Sequence, residues 1–247
     1  MNSTLPLALT FLTKLPWPWR GPADNAALAR SMFWFPWVGA LLGLGFWIAW
    51  LGLYRVLPAP AAAALLLVLT VWATGGLHSD GLADTADGLA GSREPAESLR
   101  LMKDSRVGTF GVLGLILVLL LKFALFLSLA APGGGARALL IFPVLSRWGM
   151  VLLAFLSPYA RPEGGLGQAM TLGVSPRTLA GASLSAAVLA FLFLGGRGLA
   201  LLAAAGALTW LGSLYFQKRL GGITGDVLGA ANEVLEVLVL AGALLFS

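Results

Sequence analysis

Residues 60–92 read PAAAALLLVLTVWATGGLHSDGLADTADGLAGS. The stretch opens on an apolar run to residue 77, long enough for a helix to cross the hydrocarbon core of a bilayer, which takes roughly 17 to 25 residues. It closes on three aspartates inside eight positions, Asp80, Asp84 and Asp87. A greasy segment that delivers carboxylates at its end predicts a membrane helix with chemistry at its mouth. The rest of the chain repeats the first half of that pattern. Of 247 residues, 58% are hydrophobic and only 11% charged, with a mean hydropathy of +0.88; a soluble domain carries about 25% charged residues. Further apolar runs fall near 33–53, 108–131, 137–157, 178–195, 198–216 and 227–246. In lipid the backbone must satisfy its own polar groups, and runs this long do so as helix. The expectation is an all-α polytopic integral membrane protein of about seven transmembrane helices. It forms a single transmembrane domain over 1–247, with a catalytic loop at about 78–106, its longest polar connection.

The basic residues orient the bundle. Lys14, Arg20, Arg30, Arg93, Arg100, Lys103, Arg106, Arg161, Arg177, Lys218 and Arg219 fall in one set of connections, and only Arg55, Arg137 and Arg197 in the other. The positive-inside rule assigns the richer side to the cytoplasm. The N-terminus and the 78–106 loop are therefore expected in the cytoplasm and the C-terminus outside. The net charge of +5 is mostly this topology signal, and it also suits a phosphate-bearing substrate. The chain has no cysteine, hence no disulfide framework and no thiolate metal site. Its N-terminal stretch lacks a basic n-region and is interrupted by Pro6, which reads as a retained segment. Lys14, Trp17, Trp19 and Arg20 suit a position at the membrane interface.

Nine of the eleven acidic residues lie in 80–104 or 226–236. That concentration marks a site. On a second span continued as helix, Asp80, Asp84 and Asp87 at i, i+4 and i+7 share a face about 60° wide. Like charges so spaced repel, and a cation between them relieves the repulsion. All-oxygen donors favour a hard ion, Mg²⁺ or Mn²⁺; the alternative is a solvated acidic helix end. His78, the single histidine, points about 160° away from Asp80 on such a helix. It reads either as a structural or interfacial residue or as a proton carrier or substrate contact.

Ser92 and Pro95 then start a short amphipathic helix, apolar at Leu99 and Met102, expected on the membrane surface. It leads to KDSRVG, at the start of the third span. There the unpaired helix amides, with Lys103 and Arg106, suit a phosphate; positive-inside anchoring is the alternative for each cation, and Asp104 between them fits an anchor poorly. In the last span Asp226, Glu233 and Glu236 cover about 80° of one helix face. Gly229 and Ala230 beside them admit a closely packed neighbour. Two acidic faces at one membrane level suit a two-metal clamp for displacement at phosphorus. Asp226 is expected beside the Asp80–Asp87 face, with Glu233, deeper in the lipid, as a ligand or its support. Lys122 and Arg147, in mid-span, are balanced between substrate contact and buried ion pair.

FLTKLP (11–16), GGLHSDGLADTADGL (75–89), MKDSRVGTFG (102–111) and GGITGDVLGAANEVLE (221–236) together resemble the cobalamin synthase family, the adenosylcobinamide-GDP ribazoletransferases. The resemblance implies a multi-pass enzyme of the cytoplasmic (inner) membrane, active on its cytoplasmic side. It would join adenosylcobinamide-GDP to α-ribazole or α-ribazole 5′-phosphate, release GMP, and use Mg²⁺, with Mn²⁺ as the second choice. On that reading Asp84, Asp87 and His78 are catalytic, and Asp80, Asp84, Asp87, Asp226 and Glu233 hold metal. Lys103, Asp104, Arg106, Arg147 and Thr224 bind substrate. Membrane lipid is the other expected partner, no nucleic acid is expected, and oligomer formation is left open. A lipid-making CDP-alcohol phosphotransferase would open its motif with Asp-Gly-x-x-Ala-Arg, whereas Asp80-Gly81 is followed by Leu82-Ala83-Asp84. A cation transporter would spread acids near the midplane of several spans instead of gathering them at one face.

Overall fold

A computed structural model describes residues 4–15, 24–131 and 135–246. Trp17, Trp19 and Arg20 lie outside them. The described chain is helical throughout: α1 Leu5–Leu12, α2 Asn25–Ser31, α3 Phe35–Val56, α4 Ala59–Thr74, α5 Leu77–Gly91 and α6 Pro95–Leu101, then α7 Thr109–Ser128, α8 Ala138–Leu156, α9 Leu166–Gly173, α10 Pro176–Leu194, α11 Gly196–Leu220 and α12 Gly225–Leu245. A 3₁₀ turn at Met32–Trp34 joins α2 to α3. Among the described residues six helical stretches are long and apolar enough to cross a membrane, and the bent pair α4–α5 makes a seventh if taken as one span. This agrees with the seven runs of the sequence.

The second run departs from its expected form. It does not continue straight into the aspartates. The chain turns by 89° between α4 and α5, at Gly75 and Gly76, whose φ angles of 64° and 72° lie in the left-handed region that glycine enters without a Cβ penalty. Gly75 ends α4 in a left-handed cap, its N–H donating to the Trp72 carbonyl at 3.0 Å. Alone, α4 has 16 residues, about 24 Å of helix at 1.5 Å per residue, short of the ~30 Å hydrocarbon core. The polar α5 is a separate element, held by α12, α7 and α6.

Helix α8 is the axis of the bundle, packed by α3, α12, α10 and α11. Gly39 and Gly43 of α3 lie against the α8 backbone around Leu139–Val144, the close small-residue approach by which helices associate in lipid. Where α12 meets α7 and α8, Lys122 donates to Glu233 at 2.7 Å and also pairs with Glu236, while Arg147 pairs with Glu236 and donates to Ser146 at 3.0 Å. Two cations and two carboxylates, each at most 5% exposed as residues, sum to zero charge. In a low-dielectric interior only such pairing makes ionised groups tolerable.

Candidate active site

Helix α5 presents Asp80, Asp84 and Asp87 on one side, as their spacing predicts, but two different neighbours receive them. Asp87 points to α7. Its Oδ2 accepts the Gly108 N–H at 2.7 Å and its Oδ1 the Gly111 N–H at 2.8 Å. It therefore caps the N-terminus of α7, whose orphan amides and positive helix end favour a carboxylate. The anion expected at that helix end is thus part of the protein itself. Asp87, expected as a metal ligand and catalytic residue, has each oxygen accepting one α7 amide.

Asp80 and Asp84 face the last helix. Gly81 permits this: a β-carbon there would come within 2.7 Å of the Asp226 carbonyl oxygen and 3.0 Å of its Cα. Asp226 stands in the first turn of α12, and Asp84 feels the charges of Asp80, Asp226, Arg161 and Asp87. Asp80 and Asp226 line one cavity of about 270 Å³ with His78, Tyr159 and Arg161. The expected meeting of the two acidic motifs is what the fold delivers.

Two short connections fix Asp226. Thr224 is fully buried and its hydroxyl accepts the Val227 N–H at 3.2 Å, capping α12, and lies 3.3 Å from Asp226 Oδ2. Thr224, expected to bind substrate, is here a helix cap and a support for Asp226. The α8–α9 connection is stapled to the α11–α12 turn by two backbone bonds, Ala160 N–H to the Ile223 carbonyl and Ile223 N–H to the Pro158 carbonyl, both 2.9 Å. The staple carries Arg161 to the cavity, where its Nη2 donates to Asp226 Oδ2 at 2.7 Å. Sequence reading counted Arg161 only as a topology signal, and passed over Tyr159. Nothing local marks Arg161; its value comes from a contact 65 positions away. Burial pushes the Tyr159 phenol up from its usual value, so at neutral pH it remains a hydroxyl.

The other expected substrate contacts are already engaged. Arg106 clasps Asp104 through Nε at 3.1 Å and Nη2 at 2.8 Å, and these bonds hold the Asp104 carboxyl down at about 2. Lys103 pairs with Glu163 and so ties the 102–108 loop to the segment that carries Arg161. Arg147 and Glu233 belong to the buried ion cluster, so neither is placed for substrate or metal; Glu233 also accepts from Ser79 at 3.4 Å. Helix α6 packs against α5, with Met102 over Gly88; it was expected to lie on the membrane. His78 is 1% exposed, and neither ring nitrogen has a hydrogen-bond partner. A second cavity of about 510 Å³ is lined by Thr10, Lys14, Gly76, Ser79 and Asp80, so Asp80 borders both.

Among the described residues no three His, Asp or Glu side chains close on a common point that would hold a metal ion. The donor set nonetheless has the chemistry of a hard-cation site, since Asp80, Asp84 and Asp226 offer only oxygen. One of them, Asp226, is paired with Arg161.

The cobalamin-5-phosphate synthase family model matches residues 4–244 of this chain. The chain belongs to that family. Adenosylcobinamide-GDP ribazoletransferase of Pseudomonas putida is 45% identical over 237 residues, 96% of each chain. The enzyme of the same name from Syntrophobacter fumaroxidans is 42% identical over 238 residues, 96% of each, and that of Desulforamulus reducens 43% over 241 residues, 97% of this chain and 95% of its own. No solved structure matches. Family membership extends over all four motifs and both acidic helices, and identifies a transferase of cobalamin synthesis.

Proposed function

We propose that the cavity between α5 and α12 joins adenosylcobinamide-GDP to α-ribazole, or to its 5′-phosphate, and releases GMP. What carries this reading is the convergence of Asp80 and Asp226 on one cavity beside Arg161, in a chain whose relatives of that name align over nearly its whole length. The ribazole 3′-hydroxyl attacks the phosphorus on the cobinamide side. The bond to the bridging oxygen breaks, and GMP departs with that oxygen. An aspartate of this acidic set receives the hydroxyl proton, and His78 lines the cavity with unpartnered ring nitrogens. Asp80, Asp84 and Asp226 would hold Mg²⁺, or Mn²⁺, which supplies charge neutralisation at the diphosphate. Asp87, Thr224 and Lys103 position these groups by holding α7, α12 and the Arg161 segment.

The site is assigned to the cytoplasmic side of the inner membrane, because the cation-rich connections Lys103–Arg106, Arg161 and Lys218–Arg219 lie at the same end of the bundle as the cavity. The test uses purified protein in lipid nanodiscs with adenosylcobinamide-GDP, α-ribazole and Mg²⁺, followed for GMP. No GMP above the protein-free control would overturn the proposal.

A further inference from the structure

The cavity holds more than acids. Arg161 is the one lysine or arginine among its described lining residues, and it is the least explained group there. Its side chain is 12% exposed, it sits on Asp226, and its Nε is buried with no hydrogen-bond partner. A guanidinium is a planar fork of five donors matched to phosphate and carboxylate. Here one arm is on a carboxylate and another donor is unused.

A loop staple is the obvious purpose, and the structure does not need one. The two backbone bonds between Pro158–Ala160 and Ile223 already fix this segment, and the Lys103–Glu163 pair anchors its far end. Of the other cations at this end of the bundle, Arg106 is committed to Asp104, and Arg219 to the carbonyls of Leu89, Ser92 and Arg93. Beside the cavity, His78 contributes two more unpartnered nitrogens at 1% exposure. Polar groups buried without partners cost free energy unless something pairs with them in the working state.

We propose that Arg161 is a stand-in cation that neutralises Asp226 until a divalent metal ion does so, and then becomes the residue that grips the substrate diphosphate. It rests on the reading of this cavity as a metal-assisted diphosphate site. With Arg161 on its Oδ2, Asp226 already has its charge neutralised and is a weaker ligand beside Asp80 and Asp84. Once released, the guanidinium needs no change of backbone to reach a phosphate in the same cavity. The exchange conserves pairing: Asp226 trades one cation for another, and Arg161 trades a carboxylate for a phosphate. It also makes metal and diphosphate mutually supportive, since each removes the partner that the other must displace.

The two halves of the exchange predict opposite effects for one substitution. In Arg161→Met, Mn²⁺ binding without substrate, followed by electron paramagnetic resonance in nanodiscs, should tighten by roughly three- to tenfold, the worth of a lost competing ion pair. The KM for adenosylcobinamide-GDP should rise by about 10- to 100-fold with that for α-ribazole nearly unchanged, as expected when one charge-assisted phosphate contact is lost. Arg161→Lys, which keeps the charge and loses the fork, should fall between on both axes, and it serves alone if the methionine variant does not fold. Weakened or unchanged Mn²⁺ binding would overturn the stand-in role; an unchanged KM for the GDP substrate would overturn the grip. If the wild type turns over no adenosylcobinamide-GDP, the functional reading fails, and the Mn²⁺ measurement still decides the competition at Asp226.

Discussion

Asp226 and Gly81, on helices far apart in sequence, touch through their backbones: a β-carbon on Gly81 would stand 3.0 Å from the Asp226 Cα. Helices α5 and α12 approach this closely because each carries a glycine at the crossing, Gly81 and Gly229. That single contact sets the spacing of the two acidic motifs, so the site depends on an absent methyl group as much as on its carboxylates.

Gly81→Ala is therefore expected to push α5 from α12 without altering any charge. Overpacking of this kind costs about 1–3 kcal/mol, read as a lower unfolding temperature in detergent, and GMP release should fall more than tenfold, since misplacing catalytic groups by ~1 Å costs about 10²-fold. A fully active, equally stable Gly81→Ala protein would show that the crossing tolerates expansion.

Asp84 and Asp87 should separate under mutation although three positions apart. Asp84→Asn is expected to abolish turnover and leave the unfolding temperature unchanged, because its carboxylate adds charge beside Asp80 and Asp226 and caps no helix. Asp87→Ala should lower stability by about 1–2 kcal/mol, the loss of a helix cap. Asp87→Asn, which retains an acceptor for the α7 amides, should keep measurable activity. If Asp87→Asn proves as inactive as Asp84→Asn while equally stable, Asp87 acts in the chemistry and not as a cap.

The buried cluster should respond to charge balance more than to the identity of its members. Lys122→Met leaves Glu233 and Glu236 facing Arg147 alone, and breaking such a pair typically costs about 3–5 kcal/mol. Adding Glu233→Gln restores a neutral sum and should recover much of the loss, measured by thermal unfolding in detergent. A double variant no more stable than Lys122→Met would mean that shape, not charge, governs this region.

Reporter fusions test the orientation. A fusion at residue 95 should be cytoplasmic and one after residue 245 external, following the lysine and arginine asymmetry. A cytoplasmic signal at both positions would mean that one of the five long helices between them, α7, α8, α10, α11 or α12, does not complete a crossing.

Much was readable before any coordinates. Hydropathy identified the membrane helices, because a 30 Å hydrocarbon slab imposes its length on every span. The i, i+4, i+7 spacing placed Asp80, Asp84 and Asp87 on one face, since helical periodicity is a local property of the chain. Membership of the synthase family was legible in the four motifs. The sequence did not reveal which neighbour each carboxylate meets. Asp87 and Asp226 look alike in composition, yet one accepts two amides of α7 and the other an arginine from the α8–α9 connection. Likewise Glu233, Glu236, Lys122 and Arg147 become a neutral cluster only when α7, α8 and α12 pack together. The difference is physical: helix formation and membrane insertion depend on a residue and its near neighbours, while the partner of a charge depends on which distant helices share an interface. In this chain the two glycines at the 89° bend made that decision, by turning α5 away from the line of α4 and into contact with α12.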